Sequence, residues 1–274
     1  MAQFNGKVAI ITGASSGVGE SCARKFAAEG ASTVLVARNK KKLAELQKQI
    51  PGSRAFPADI SDPKNYDKLI KFVLKEFGAI HILVNNAGVN YRGGVLEVEE
   101  DLGKIIDLNL RAPIALTQKV LPHIRASSGG SVVNVASLAG RFPLPHEATY
   151  SSSKFGLRAF SLALAQELEG TGITASVVSP GPIETGFILT EIDSVPPLVF
   201  SQPMSTADQV ADLVLKCARD GKPERTIPVS GGILATLAYL WPGLRRLLKP
   251  MLERKGQRIK AKYIEKLRRS GQSS

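Results

Sequence analysis

Short apolar runs alternate with longer amphipathic stretches along most of this chain. The apolar runs have the length of strands and are continuous rather than alternating, which is typical of parallel strands buried on both faces. They predict strands at residues 7–12, 32–38, 53–59, 81–88, 130–137, 173–181 and 225–230. Helical periodicity between them predicts helices, among them Gly17–Glu29, Lys64–Phe77 and Tyr150–Leu168. The alternation predicts a single-domain, doubly wound α/β fold with about seven parallel strands and helices on both faces.

Two segments interrupt this alternation. Residues 183–205 lie between a predicted strand and a predicted helix and contain Pro196, Pro197 and Pro203. A connection of this length is typical of a lid over a functional site. Residues 231–274 follow the last predicted strand and are apolar at first and basic afterwards. We therefore divide the chain into a body, residues 1–230, and a C-terminal extension, residues 231–274.

Composition and charge narrow the class of protein. The 274 residues are 43% hydrophobic and 22% charged, as in an ordinary globular protein. The net charge is +12, and residues 242–274 supply +9 of it through 11 Lys/Arg and 2 Glu. Cys22 and Cys217 lie far apart and outside any C-x-x-C pattern, so we expect neither a disulfide framework nor a metal site. The N-terminus lacks the pattern of a secretory signal and no apolar stretch has transmembrane length, so we expect a cytoplasmic protein.

A glycine-rich turn, TGASSGVG at residues 12–19, joins the first predicted strand to the first predicted helix. Gly13 permits a tight turn, Gly17 allows close approach of the backbone, and Gly19 lets the helix pack on the strand. The N-terminus of the helix offers free N–H groups and a positive dipole end, to which Ser15 and Ser16 add hydroxyl donors. The loop therefore predicts a site for the pyrophosphate of a dinucleotide.

A second set of residues predicts acid/base chemistry. Tyr150 and Lys154 are four residues apart, so they share one face of a helix. Reduction of a carbonyl needs a proton donor near the developing alkoxide, and a free tyrosine has a pKa near ~10. The ammonium group of Lys154 would lower that pKa. Ser137 lies thirteen residues before Tyr150, at the end of a predicted strand. The alternative is a buried Tyr–Lys pair of purely structural meaning.

These motifs occur together with NNAG at residues 85–88 and PGPIET at residues 180–185. As a set they resemble the short-chain dehydrogenase/reductase family, classical subfamily, over about residues 6–230. The resemblance implies a Rossmann-type fold in which residues 1–230 form one dinucleotide-binding and catalytic domain. It also implies hydride transfer between a nicotinamide cofactor and a carbonyl or an alcohol.

The resemblance further implies roles for individual residues. Tyr150 would be the acid/base, Lys154 would also bond the nicotinamide ribose, and Ser137 would hold the substrate oxygen. Asn109, in the sequence DLNLRAP, would bend its helix and hold a water of the proton relay. The implied cofactor contacts are Gly13, Ser15, Ser16, Gly17, Val18, Gly19, Arg38, Asp59, Ile60, Asn86, Ala87, Gly88, Tyr150, Lys154, Pro180, Gly181, Ile183 and Thr185.

The end of the second predicted strand, VARNK, distinguishes between the two nicotinamide cofactors. A site for NAD usually has an acidic residue here, which bonds the 2′-hydroxyl of the ribose. No acid is present, Ala37 leaves room, and Arg38 supplies a planar fork that suits a 2′-phosphate. This pattern predicts NADP(H). The alternative is that Arg38 is an ordinary surface residue.

Three interpretations of the C-terminal extension stay open. In the first, its apolar part packs over a substrate pocket and the remainder is a solvated cationic end. In the second, a stripe of Leu252, Ile259, Tyr263 and Leu267, surrounded by basic residues, lies on a membrane surface. In the third it binds nucleic acid, but aromatic residues are sparse and no reader motif is present, so we expect no nucleic-acid partner.

The sequence thus predicts an NADP(H)-dependent oxidoreductase that interconverts a carbonyl and an alcohol. The lid and loops are apolar, which favours a lipid, a steroid or a similar small-molecule substrate; they contain Phe142, Leu144, Phe187, Ile188, Leu189 and Phe200. We expect a homo-oligomer that can contact a membrane peripherally through the basic extension. The alternatives are a membrane-recruited, cofactor-binding sensor or scaffold, and an epimerase or dehydratase of the same family.

Overall fold

The chain folds around one seven-stranded parallel sheet in the order β3-β2-β1-β4-β5-β6-β7. The structure, a computed structural model, describes residues 3–269 except for the side chain of Arg245. The strands are β1 Val8–Thr12, β2 Ser32–Ala37, β3 Ser53–Pro57, β4 Ile82–Asn85, β5 Gly130–Val135, β6 Ile173–Pro180 and β7 Glu224–Ile227. The predicted doubly wound, Rossmann-type fold is confirmed.

Helices cover both faces of the sheet. They are α1 Gly17–Ala28, α2 Lys40–Gln49, α3 Tyr66–Phe77, α4 Gly103–Ile106, α5 Ala112–Ala126, α6 Ala148–Glu167, α7 Gly186–Leu189, α8 Ala207–Asp220, α9 Val229–Leu240 and α10 Pro242–Arg269. A π-helical turn, Asp107–Arg111, joins α4 to α5 without a break. One apolar layer packs α1, α2 and α8 on the sheet, and a second packs α3, α5 and α6 on the opposite face.

The central position of β1 in the sheet explains why its sequence is continuously apolar. All five residues of β1 are buried. Ala9 and Ile11 contribute to one layer of the core, whereas Val8 and Ile10 contribute to the other. Because β1 pairs with both β2 and β4, the strand order reverses there, and a crevice opens at the carboxyl ends of the strands.

The last strand is shorter than the sequence predicts. The expected strand at residues 225–230 ends at Ile227, and α9 begins at Val229. Pro228 lies between them as the residue that precedes the first turn of α9. It has no N–H group with which to extend the strand ladder, so the chain turns here.

The lid is a packed substructure with its own core. Its ends are joined by two backbone hydrogen bonds, one from Glu184 to Ser205 and one from Ser205 to Pro182, both 2.9 Å long. The buried side chains of Ile192, Val195 and Phe200 form a small apolar cluster with others of the lid. The 3₁₀ turn Pro197–Ser201 lies against α10.

The C-terminal extension packs the predicted apolar stripe against the lid, while most of its basic residues face outward. The lid cluster packs against Ile259, Tyr263 and Leu267, three of the four residues in the predicted stripe, and Leu252 lines the cavity described below. Lys260 Nζ donates hydrogen bonds to carbonyl groups of the lid, and the Tyr263 hydroxyl donates to Glu184 Oε1. The stripe therefore covers the lid, because the lid's apolar side chains would otherwise face water.

Candidate active site

Most of the predicted site residues line one cavity of about 840 Å³ at the carboxyl ends of the strands. The glycine loop, Ser137, Tyr150, Lys154 and the PGPIET segment all contribute to its wall. Gly19 and Asn109 are the exceptions, since they lie behind this wall rather than in it. The cavity thus brings together residues from Gly13 to Leu252, because successive parallel crossovers return each strand to the same edge of the sheet.

The turn after β1 requires glycine because two backbones approach each other closely there. Gly13 has a φ of +68°, a left-handed conformation that favours glycine. A Cβ atom on Gly13 would lie 2.8 Å from Asn86 Nδ2 and 2.9 Å from Ala87 Cα. A Cβ atom on Gly19 would collide with the Gly13 carbonyl group. The turn after β1 therefore rests directly against the loop after β4.

Hydrogen bonds hold these two loops together. Thr12 Oγ1 accepts from the backbone N–H groups of Asn86, at 3.0 Å, and Ala87, at 3.1 Å. Asn86 Nδ2 donates to the Thr12 carbonyl at 3.0 Å. Behind them, Asn85 Nδ2 donates to Asn134 Oδ1 at 2.8 Å in the buried sheet. The floor of the cavity is therefore fixed by bonds between neighbouring strands.

The glycine loop leaves its polar groups available to a ligand. Ser16 is the N-cap of α1, yet its side chain makes no capping hydrogen bond. A Cβ atom on Gly17 would lie 3.3 Å from Thr185 Cγ2, so the first residues of the lid pack against the glycine loop. Free N–H groups and the positive end of the α1 dipole stabilise an anionic group at this point. The cradle has the shape and polarity that a dinucleotide pyrophosphate requires.

Arg38 and Asp59 lie at the rim of the same cavity. Arg38 is exposed and forms no ion pair within residues 3–269. Burial acts to raise the pKa of Asp59, but hydrogen bonds from Ser61 and the Arg38 guanidinium outweigh it and hold the pKa below its ordinary value. Asp59 Oδ1 accepts from the Ser61 N–H at 2.9 Å. A guanidinium group is therefore available at the end of β2 for an anionic ligand.

Ser137 and Tyr150 belong to separate elements that meet through a glycine. Ser137 begins the turn Leu138–Gly140 after β5, and Tyr150 lies near the start of α6. A Cβ atom on Gly140 would lie 2.5 Å from the Lys154 carbonyl oxygen, so only glycine lets this turn rest on α6. The result is a hydrogen bond between Ser137 and the Tyr150 hydroxyl.

The protonation of Tyr150 differs from the expectation. Burial raises the pKa of Tyr150 to about 12, and the Glu147 carboxylate adds to the rise, while the bond to Ser137 and the Arg92 guanidinium lower it. Burial also lowers the pKa of Lys154 to about 8. Burial therefore outweighs the lowering of the Tyr150 pKa that Lys154 is expected to cause, and the stabilisation of the phenolate by the ammonium group stays a prediction.

Lys154 lies deep in the site beside the tyrosine ring. Its Nζ atom is 5.7 Å from the ring centroid of Tyr150 and donates a 3.0 Å hydrogen bond to the Val135 carbonyl. A Cβ atom on Gly88 would lie 3.6 Å from Lys154 Nζ and 3.2 Å from Asn109 Oδ1. The NNAG loop, α6 and the π-helical turn therefore converge on the lysine.

Asn109 anchors a loop from within the π-helical turn, so the expected helix distortion is present at this residue. It is fully buried, and its side chain forms two 2.8 Å hydrogen bonds with the backbone of Val89. Its Nδ2 atom also donates to Ser153 Oγ at 3.2 Å. Since its side chain is occupied in this way, Asn109 supports the loop that carries Gly88, and its proposed hold on a water stays a prediction.

Two charged residues of the site are absent from the sequence-based prediction. Glu147 lines the cavity one helical turn before Tyr150 and is buried. Arg92 Nε lies 3.3 Å from Glu147 Oε1, and Arg92 Nη1 forms a 2.5 Å ion pair with Glu191 of the lid. Arg92 also covers the ring of Phe187, 5.2 Å from its centroid. This cluster ties the lid to the wall beside Tyr150. The position of Glu147, three residues before Tyr150, was the available signal.

The remaining half of the cavity is apolar. Its wall comes from the loop after β5, from the lid and from the inner face of α9 and α10. The lining side chains there include Leu138, Phe142, Leu144, Phe187, Ile188, Leu198, Val199, Leu234, Ala238, Leu248 and Leu252. The site therefore consists of a polar cradle and an apolar chamber, with Ser137, Tyr150 and Lys154 between them.

Comparison with known proteins agrees with this geometry. The family model of the short chain dehydrogenases matches residues 7–193. A "Dehydrogenase/reductase SDR family protein 7-like" of Anopheles gambiae is 33% identical over 257 residues, which cover 88% of this chain and 81% of that protein. "Dehydrogenase/reductase SDR family member 7B" of Bos taurus is 36% identical over 196 residues, 68% of this chain and 60% of that protein. An uncharacterized oxidoreductase of Staphylococcus epidermidis is 36% identical over 187 residues, 68% of this chain and 81% of that protein.

Proposed function

Because the chain belongs to the short-chain dehydrogenase family, we propose that it is an NADP(H)-dependent oxidoreductase that interconverts a carbonyl and an alcohol on an apolar substrate. The observation that carries the proposal is the position of Ser137, Tyr150 and Lys154 between a glycine cradle and an apolar chamber. A bound nicotinamide cofactor supplies or accepts the hydride. The protein's own residues hold the substrate oxygen and move its proton.

Tyr150 is the proton donor in the direction of reduction. With a pKa of about 12, its hydroxyl keeps its proton at neutral pH and can donate it to the alkoxide that forms from a carbonyl. The hydroxyl of Ser137 is hydrogen-bonded to Tyr150 and can bond the same oxygen. The phenolate that is left after proton transfer is stabilised by the ammonium group of Lys154, 5.7 Å from the ring centroid.

The cradle also indicates which residues would hold the cofactor. Ser15, Ser16 and the first turn of α1 would bind the pyrophosphate. Arg38 would bind a 2′-phosphate, since no carboxylate stands at the end of β2 and the guanidinium is exposed at the rim. Lys154 would bond the nicotinamide ribose. The support for NADP(H) over NAD(H) is this exposed guanidinium, which forms no ion pair within residues 3–269.

The choice between the two cofactors can be measured with Arg38→Gln. Wild-type enzyme should show a higher kcat/KM for NADPH than for NADH, and the substitution should reduce that ratio about 10- to 100-fold, as expected for a lost charge-assisted bond. The matched control is Lys40→Gln, an exposed cation two residues away that does not line the cavity. Equal values for both cofactors in the wild type would contradict the assignment.

The substrate class follows from the apolar chamber. Consumption of NADPH should be measured with aldehydes and ketones of increasing apolar length, from small water-soluble carbonyls to fatty and polycyclic ones. We expect kcat/KM to rise with apolar surface by about tenfold for every two methylene groups that enter the chamber. A flat response would contradict an apolar substrate, and no turnover of any carbonyl or alcohol would contradict the reaction.

A further inference from the structure

The outer face of α9 and the start of α10 exposes a stripe of large apolar side chains. Val229, Ile233, Leu237 and Leu240 follow one another at helical spacing, and Leu247 and Met251 continue the exposed apolar surface in α10. Leu240, Trp241 and Leu247 are 72%, 69% and 75% exposed. Of the twelve large apolar side chains that are exposed within residues 3–269, eight lie between residues 229 and 251. Isolated exposed residues are common in proteins, but a contiguous group marks an interaction surface.

The same two helices use their other face for the site. Leu234 and Ala238 of α9, and Leu248 and Leu252 of α10, line the apolar chamber. Helix α9 contains no charged residue. A helix that is apolar on all sides is expected either in a protein core or in contact with lipid. Because one side of α9 is exposed, its composition requires an apolar environment that the described chain does not supply.

Further along α10, the outward face changes from apolar to basic. Arg254, Arg258 and Lys262 follow Met251 at helical spacing and are exposed. None of the three basic residues forms an ion pair with another residue in the range 3–269. Residues 242–274, which include this face, carry +9 of the net charge of +12. An apolar stripe that continues into exposed basic side chains is complementary to a surface with an apolar interior and an anionic outer layer.

We propose that this face, Val229–Leu240 together with Leu247, Met251, Arg254, Arg258 and Lys262, docks on the surface of an anionic lipid bilayer. The apolar side chains would enter the boundary between headgroups and acyl chains, and the basic residues would contact lipid phosphates. Tyr239 and Trp241 have the amphipathic rings that are enriched at this level of a membrane.

Charge favours a bilayer over a second copy of the chain. A symmetric contact through this face would bring two segments of +9 together, and like charges oppose such an association. Within residues 3–269, no helix combines the length and the apolar composition that crossing a bilayer requires. The inference rests on exposure and charge, and it does not depend on the proposed reaction.

The test compares three double variants that all reduce the net charge from +12 to +10. Leu240→Glu/Met251→Glu places charges in the apolar stripe, and Arg258→Gln/Lys262→Gln removes two cations from the basic part. The matched control, Lys68→Gln/Lys71→Gln, removes two exposed cations from α3, a helix of the sheet core. Binding of the full chain is measured by sedimentation with vesicles of phosphatidylcholine alone and of phosphatidylcholine with phosphatidylglycerol, at low and high salt. Turnover of a water-soluble carbonyl and circular dichroism without vesicles verify that each variant is folded.

We expect the wild type and the Lys68/Lys71 control to bind the anionic vesicles within about twofold of each other, and more weakly at high salt. The Arg258/Lys262 variant should partition about 30-fold less, and the Leu240/Met251 variant about 100-fold less, even at low salt. Equal binding by all four proteins would overturn the proposal, as would absence of binding by the wild type. A wild-type dimer that the Leu240/Met251 variant dissociates, without vesicle binding, would assign the face to a second copy instead.

Discussion

The floor and the roof of the cavity are built in different ways. The floor consists of the turns after β1, β4 and β5 with the start of α6, and it is held by backbone contacts and short hydrogen bonds between neighbouring strands. The roof consists of the lid, residues 183–205, together with α9 and α10, and it is held mainly by apolar packing and by the Arg92 cluster. The floor tolerates almost no added atom at its glycines, whereas the roof presents a broad apolar surface to the chamber.

This difference assigns the chemical step to the floor and the recognition of substrate to the roof. Groups that hold charge and move protons must be placed within a fraction of an ångström, and strand ends that share hydrogen bonds provide that precision. An apolar substrate is recognised by the area it buries, which packed helices provide without fixed polar contacts. Changes in the floor should therefore abolish turnover or cofactor binding, whereas changes in the roof should alter the affinity for substrate.

The largest effect is expected from Lys154→Met in the floor. Turnover should fall about 1000-fold, because the phenolate of Tyr150 loses its ammonium partner. Burial lowers the pKa of Lys154 to about 8, so the charged form is penalised in the folded protein. Removing it should raise the free energy of unfolding at pH 7 by about 1–2 kcal/mol, after the lost bond to the Val135 carbonyl is allowed for.

The lowered pKa of Lys154 also predicts how stability and reduction rate depend on pH. The folded-state pKa of Lys154, about 8, lies below its ordinary value of 10.5, so Lys154 adds stability above pH 10.5 and that contribution is lost as the pH falls to 8. The reduction rate should fall as the pH rises through about 8, where the ammonium is lost. Rate profiles and denaturant unfolding of Lys154→Met, with Lys68→Met as an exposed control, check both signs. A variant less stable than the control at pH 7 would contradict the account of burial.

The second effect is expected from Gly13→Ala. Its Cβ would displace Asn86 and Ala87, and a shift of this size in the cradle should weaken cofactor binding about 100-fold. Gly78→Ala is a matched control, since Gly78 has a similar φ of +74° and nothing lies within 4 Å of the added atom. Both variants carry the left-handed strain of about 1 kcal/mol, but only Gly13→Ala should lose affinity for NADPH in a fluorescence titration. Similar losses of NADPH affinity in both variants would show that the strain at a left-handed glycine, rather than crowding in the cradle, weakens cofactor binding.

The floor could be predicted from the sequence in detail, whereas for the roof only the lid segment and, as one of three interpretations, a pocket cover could. The sheet, the glycine loop and the Tyr150–Lys154 face follow from local spacing, because strand order and helix periodicity bring these residues to one edge. Arg92 could not be predicted, since a buried ion pair between distant loops has no local pattern, and the only sequence signal for Glu147 is its position three residues before Tyr150. The pairing of Ile259, Tyr263 and Leu267 with the lid was also missed, because an amphipathic stripe does not show what covers it.

A smaller effect is expected from Gly256→Ala in the roof. An added Cβ would collide with the Pro197 carbonyl, so α10 and the lid would have to move apart. We expect KM for an apolar carbonyl to rise about tenfold, with a loss of stability of about 1–3 kcal/mol from overpacking. Gly243→Ala, in the same helix, is the control, because its Cβ would meet only the flexible Trp241 side chain, at 3.3 Å. A change in the Kd for NADPH comparable to that in KM would break the distinction between floor and roof.

The most direct test of the central claim is the rate of carbonyl reduction by Tyr150→Phe, measured together with its Kd for NADPH. Tyr66→Phe is the control, since Tyr66 is buried in α3 and its hydroxyl has no hydrogen-bond partner within residues 3–269. The proton-donor role predicts that Tyr150→Phe keeps the Kd within about twofold and loses about 1000-fold in kcat, while Tyr66→Phe keeps both. Full turnover by Tyr150→Phe with NADPH bound would contradict that role.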